Sequence, residues 1–200
     1  MARTPEDVVV PSGGDVYQAP LGTILPTDLT TPPPSPWENV GFLSDDNPPT
    51  ITGLTRDATD LFAWNVDTPL RTALAPAAPL LQMELLQLES EDALKLFFGG
   101  GLWTPGTPPA VDKYDAPDLA APPELATIID VVDGSKLVRM MFPRTQTRAN
   151  GDIALGRGAF ASLPIAMSVL TPSSGSWLTV LIAPNAPATL QAEVPEEEAA

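Results

Sequence analysis

Apolar and polar positions alternate most clearly in the second half of the chain. In "ELATIIDVVDGSKLVRMMFP" (124–143), two runs rich in Ile, Val, Leu and Met flank Asp133-Gly134, a pattern that predicts a β-hairpin. A four-residue loop, Asp133 to Lys136, pairs Thr127, Ile129 and Val131 with Phe142, Met140 and Val138, an almost wholly apolar face. It also sets Asp130 opposite Arg139 on the other face, an opposite-charge cross-strand pair. A two-residue loop would move Lys136 onto the apolar face, so the longer loop is preferred. Further on, "AFASLPIAMSVLT" and "SWLTVLIA" predict a second hairpin across Pro172 to Gly175.

The segment "PLLQMELLQLESEDALKLFFGGG" (79–101) carries two periods. No residue from 79 to 98 is β-branched, so propensity alone favours one long helix. Yet Leu81, Met83 and Leu85 alternate with Gln82 and Glu84, which is strand period. Ser90 followed by Glu91 and Asp92 is a helix start, with an N-cap oxygen and then carboxylates at the positive end of the dipole. Gly99 suits the residue after a helix. The segment therefore divides into a strand to about Leu88 and a short helix from Glu91 to Phe98. The helix would bury Ala93, Leu94, Phe97 and Phe98. The first half is weaker. Residues 1–36 read as an extended arm with short pieces at Val8 to Val10 and Val16 to Ala19, and weak strands fall near 37–44, 50–56 and 61–74.

Composition narrows the class. Proline numbers 25 of 200 residues, and it clusters, as in "TTPPPSP" (31–36 and its leading Thr) and "TPGTPPA" (104–110). An interior proline costs a helix roughly 3 kcal/mol, so the chain is mainly β, with long stiff loops. Acidic residues outnumber basic ones 25 to 10, for a net charge of -15 that disfavours binding to phosphate backbones. There is no cysteine and no histidine, which removes disulfides, thiolate sites and the commonest general base and zinc ligand. No apolar run approaches the ~20 residues of a membrane span, and "MARTPEDVVVPSGG" is far from a signal peptide. The acidic groups "SDDN" (44–47) and Asp112, Asp115, Asp118 lack EF-hand spacing and read as solvated turns. Serines have no His partner, and "FFGGGLW" lacks a P-loop lysine. Trp37, Trp64, Trp103 and Trp177 read as core or interface anchors. No catalytic, metal or cofactor site is predicted.

The order of four stretches carries a resemblance: "GDVYQAPLGTILPTDL", "WENVGFLSDDNPPTITGLTRDATDLFAW", "MELLQLESEDALKLFFGG" and "IIDVVDGSKLVRMMFPRTQTRANGDIALGRGAFASLPIAMSVLT". Together, over about residues 14–183, they resemble a major tail protein (tail tube protein) of a long-tailed, siphovirus-type bacteriophage of actinobacteria. The most specific parts are the Gly-Phe-Leu-Ser-Asp-Asp turn and the "IIDVVDGSKL" run with its following Pro-Arg and Gly-Asp-Ile.

That resemblance implies a tail-tube-type β-sandwich or barrel with one short flanking helix and long Pro-rich loops and terminal arms. It implies homohexameric rings stacked into a tube for DNA delivery. Partners would be other copies of the chain, the tape-measure protein, the tail terminator and the distal tail protein. The chain would be made in the host cytoplasm and work in the virion, with no cofactor, no enzymatic activity and no membrane insertion. Domains would be an arm (1–36), a core (37–183) containing a long inter-ring loop (45–78), and an acidic tail (184–200). Some relatives carry an immunoglobulin-like domain where this chain has that tail, which puts surface adhesion in doubt. Inter-subunit contacts would fall on Trp37, Asp45, Asp46, Arg56, Phe62, Trp64 and Arg71. Asp130 and Arg139 would face the lumen as a pair, and Leu94, Phe97 and Phe98 would anchor the helix. A bacteriocin or type VI secretion tube, and a monomeric acidic β-sandwich binding module, remain as alternatives.

Overall fold

The computed structural model describes residues 8–29, 33–118, 122–134, 136–149, 151–153, 155–158 and 160–183. The expected acidic tail, 184–200, lies outside them. In chain order the elements begin with β1 (Gly13–Pro20), β2 (Glu38–Asn39), β3 (Thr50–Thr52), β4 (Ala58–Leu61), β5 (Arg71–Leu74) and β6 (Leu80–Leu85). One helix follows, α1 (Glu91–Phe98). Then come β7 (Leu102–Thr104), β8 (Lys113–Asp115), β9 (Glu124–Asp133), β10 (Lys136–Ala149), β11 (Leu163–Val169) and β12 (Thr179–Ala183). The fold is mainly β, as the proline content and alternation predict. One large sheet has the order β2-β1-β9-β10-β11-β6-β3, with β12 alongside β10. The pairs β4-β5 and β7-β8 form two small separate sheets.

The β9–β10 hairpin takes the register argued from its faces. Thr127 lies opposite Phe142, Ile129 opposite Met140, Val131 opposite Val138, and Asp130 opposite Arg139. The ladder runs one pair further than a four-residue loop allows, to Asp133 and Lys136. It then lapses between Phe142 and Thr145. Pro143 sits in that lapse, where its missing N–H costs no ladder bond. Beyond it β10 takes up β11, from Thr145 opposite Val169 to Ala149 opposite Ile165.

The expected second hairpin is not formed. β12 pairs with the first half of β10, Leu137 to Met141, while β11 lies between β10 and β6. Both edges of β11 are thus occupied, and the edge of β10 opposite β9 is open to β12. Alternation identifies a strand, but it does not choose the strand's neighbour.

The expected arm also needs correction from residue 13 onward. β1 is an interior strand, paired with β9 from Gly13–Val132 to Pro20–Leu125. Its Val16, Tyr17 and Ala19 are buried, which a free arm could not achieve.

Two apolar clusters lie on opposite faces of β9. The larger joins Val16, Leu81, Met83, Leu85, Ile129, Phe142, Leu163, Ile165 and Met167 to the helix. The strand-period reading of 81–85 thus holds, with Leu81, Met83 and Leu85 inward. The smaller cluster holds Tyr17, Ala19, Trp37, Ala126, Ile128 and Met141, with Leu25 packed on it. The mixed face of the hairpin is therefore covered by Leu25, Asp28 and Trp37, from between β1 and β2, and it does not face water.

Helix α1 has the predicted bounds. Ser90 Oγ accepts from Ala93 N, and Gly99 closes the helix at φ 76°. Ala93, Leu96 and Phe97 are buried, at the i, i+3, i+4 spacing of one face. Phe98 lies a further 100° round and is exposed, so it is not a core anchor. It meets Phe97 edge-on at 4.9 Å, while Leu94 packs at the margin of the core. Leu96 takes the place expected for Phe98. We predict that Phe97→Ala lowers unfolding stability by about 3–5 kcal/mol and that Phe98→Ala costs much less, as read by urea denaturation midpoints.

Candidate functional site

The surface features of interest begin where the chain leaves the sheet after β3. At Gly53 (φ 71°) a Cβ would lie 2.1 Å from the Ala78 carbonyl oxygen, so this crossing of the two chain segments requires glycine. Beyond it, Ala58–Leu61 and Arg71–Leu74 pair antiparallel. The hairpin is closed by Leu70 N donating to Leu61 O at 2.9 Å and by Thr72 Oγ1 donating to Asp60 at 2.7 Å. Every residue of both strands is exposed. Leu61, Phe62, Leu70 and Leu74 lie open to solvent, and Trp64 is fully exposed. A lone two-stranded hairpin is marginal in water, and contiguous exposed apolar side chains mark an interaction surface. Arg56 and Arg71 are also exposed and make no ion pair among the described residues.

The acidic turn before β3 is fixed from below. Ser44 N donates to Glu84 O at 2.9 Å, and the Glu84 carboxylate accepts from Asn47 Nδ2 and Ser162 Oγ. Those side-chain bonds, Ser162 foremost, hold the Glu84 carboxyl below its ordinary value near 4.5. Asp45 and Asp46 are left pointing outward, exposed. Of the expected contact residues, Asp45, Asp46, Arg56, Phe62, Trp64 and Arg71 are thus all at the surface. Trp37 is not. It is buried in the smaller cluster beside Tyr17 and Met141, because the segment leading into β2 folds back over the sheet.

The Asp130–Arg139 pair forms across the strands, but inside the protomer. Arg139 Nε donates to Asp130 Oδ1 at 2.7 Å and Nη2 to Oδ2 at 2.6 Å. Nη1 reaches the Asp28 carbonyl at 3.0 Å. Arg139 is 0% and Asp130 3% exposed, so in the single chain neither faces a channel. No periodicity marks the covering segment in the sequence. Burial beneath it raises the Tyr17 phenol, with Asp15 and Asp130 adding to the effect.

An open cleft of about 650 Å³ lies where the large sheet fails to close between β1 and β3. Leu43, Ile51, Ile129, Val131 and Met140 are its apolar lining, and Asp15 and Asp45 stand on it as polar members. No sequence motif marks it, because it is assembled from four separate segments. Among the described residues no three Asp or Glu side chains group closely enough to hold a metal ion. Among the same residues, no helix is long and apolar enough to cross a membrane.

The hairpin's apolar side chains lie bare among the described residues, the mark of a surface used in assembly. The model of the phage tail tube protein family matches residues 1–192, and the chain belongs to that family. It is thus a structural component of a virion tail, which self-assembles with other tail proteins. A comparison with curated proteins gives no match.

Two outcomes follow from the buried groups. Arg139→Leu leaves Asp130 buried without its partner, and we expect it to cost about 3–5 kcal/mol in denaturant unfolding. The double replacement Asp130→Leu/Arg139→Leu should cost less than that single one. For Glu84 the lowered carboxyl contributes stability above about 4.5 that is lost as pH falls through the lower folded value. Glu84→Gln should therefore show a shallower loss of stability below about pH 4.5 than the wild type, in denaturation midpoints followed from pH 7 to 3.

Proposed function

We propose that the chain forms six-membered rings that stack head to tail into the tail tube of a siphovirus-type phage of actinobacteria, and that DNA passes through the lumen. The observation that carries this reading is the β4–β5 hairpin. Its Leu61, Phe62, Trp64, Leu70 and Leu74 are exposed on a two-stranded sheet that needs further partners to be stable. The layout of the sequence stretches supports the long-tailed class and the actinobacterial host. The segment 45–78 serves as the connection between rings, with the qualification that Thr50–Thr52 belongs to the large sheet. The candidate contact residues are Asp45, Asp46, Arg56, Phe62, Trp64 and Arg71.

A net charge of -15 suits a conduit that must not hold its cargo, because carboxylates repel the phosphate backbone. Asp130 and Arg139 are enclosed in the protomer, so other carboxylates set the charge of the channel wall. The tape-measure protein fills the lumen before ejection, and the tail terminator and distal tail protein close the two ends. The chain is made in the host cytoplasm and works in the virion without cofactor or catalysis.

Negative-stain imaging and sedimentation of the purified chain test this. Rings or tubes are expected from the wild type, and loss of them from a chain in which residues 56–75 are replaced by a short Gly-Ser loop. A wild type that stays a 21.0 kDa monomer at every concentration overturns the reading.

A further inference from the structure

The cleft between β1 and β3 has apolar walls, and none of the described residues fills it. β1 pairs with β2 only at Tyr17 and Gln18, and β3 pairs only with β6. The sheet is therefore open along Gly13–Asp15 and along β3, with Ile51, Ile129 and Met140 behind the gap. Its volume of about 650 Å³ lies within the roughly 300–1,000 Å³ of clefts that enclose a sizeable ligand group. The same chain carries an apolar group without a site: Trp64, fully exposed next to Phe62 at the end of the hairpin. An indole of this kind contributes a large buried area when it finds a pocket.

Charge points to the same match. Lys95, Lys113, Arg139 and Arg144 each pair with a carboxylate of their own chain. Arg56 and Arg71, at the base and the far end of the hairpin, make no ion pair among the described residues. At the cleft, Asp45 and its neighbour Asp46 are exposed carboxylates that likewise make none. Two copies of a chain of charge -15 repel, so a contact between them needs cations facing anions. The hairpin brings the cations and the acidic turn supplies the anions.

We propose that the hairpin of one copy docks in the β1–β3 cleft of the next, with Trp64 seated on Ile51, Ile129 and Met140 and Arg71 facing Asp45. This rests on the tube reading and names the surface that receives the hairpin. Knob and socket lie on different parts of one molecule, so the contact is heterologous and repeats from copy to copy. It explains why the sheet is left open where it is, and why the hairpin is left bare.

The chain contains no cysteine, so introduced thiols report single contacts. Asn65→Cys sits beside Trp64, and Ser12→Cys sits at the cleft, both at exposed positions. Mixed under mild oxidation, the two variants should give a heterodimer band that outweighs either homodimer. Trp64→Ala should raise the concentration needed for assembly at least about tenfold, with the unfolding midpoint of the monomer unchanged. Arg71→Asp and Asp45→Arg should each weaken assembly, and the double variant should recover it. Tubes that form without the heterodimer band, or with an Asn65→Cys homodimer dominant, overturn the socket and leave the tube reading intact. A wild type that forms neither rings nor tubes overturns both.

Discussion

The interruption of one ladder at Pro143 governs the shape of this protein. β10 is fourteen residues long, and one straight partner on each edge would make it the middle of a flat sheet. Pairing with β9 lapses between Phe142 and Thr145 and resumes at Leu125 and Glu124, while on its other edge the strand serves two neighbours in turn. Along that edge its first half holds β12, and its second half carries β11 and, through it, β6 and β3. Bulges bend strands and increase their twist, so the two halves of the sheet can turn toward each other over one apolar interior. Phe142, fully buried at the break, belongs to that interior together with Val16, Leu85 and Leu163. The helix lies against β10 and β11, and the open seam falls between β1 and β3.

Rolling the sheet leaves its second face in need of cover, and the chain supplies this with a loop. Leu25, Leu29 and Trp37 lie over β9 and β10, and the Asp28 carbonyl takes the third donor of the Arg139 guanidinium. An ion pair in such a place gains little over apolar packing, because two charges must leave water. It does fix register. A slip of one residue would send the guanidinium to the opposite face, among Ile129, Met140 and Phe142, where no carboxylate awaits it. Proline in the covering segment restricts the unfolded chain, so ordering a loop without a ladder loses less entropy.

How far the sequence could be read depended on the range of the forces involved. Local chemistry was legible: the Ser90 cap, the Gly99 stop, the change of period between Leu85 and Glu91, and the Asp130–Arg139 register all follow from neighbours in the chain or across one turn. The split of the 79–101 segment succeeded because a cap and a strand period outweighed helix propensity. The failures were non-local. Adjacency in sequence pairs β12 with β11, whereas the vacant edge belongs to β10. The expectation that Trp37, Asp130 and Arg139 lie at surfaces fails because no pattern in residues 20–36 announces a covering segment. Phe98 reads as part of the helix's apolar face, but its angular position leaves it exposed.

The same separation of ranges accounts for the division between interior and exterior. Inside, β9, β10 and β11 have strands on both edges, and the buried Asp130–Arg139 pair is held by three hydrogen bonds. Outside, the acidic surface that keeps isolated copies apart coexists with a hairpin whose apolar side chains gain nothing from their own fold. Those two properties oppose each other in a monomer and agree in a polymer. Repulsion spread over a whole surface weakens with salt, within a screening length of about 8 Å at physiological ionic strength. Burial of an indole in an apolar cleft does not depend on that screening, and it acts only where the shapes meet. With the docking proposed above, a chain built this way stays dispersed until copies approach in one orientation, which suits orderly growth of a tail tube.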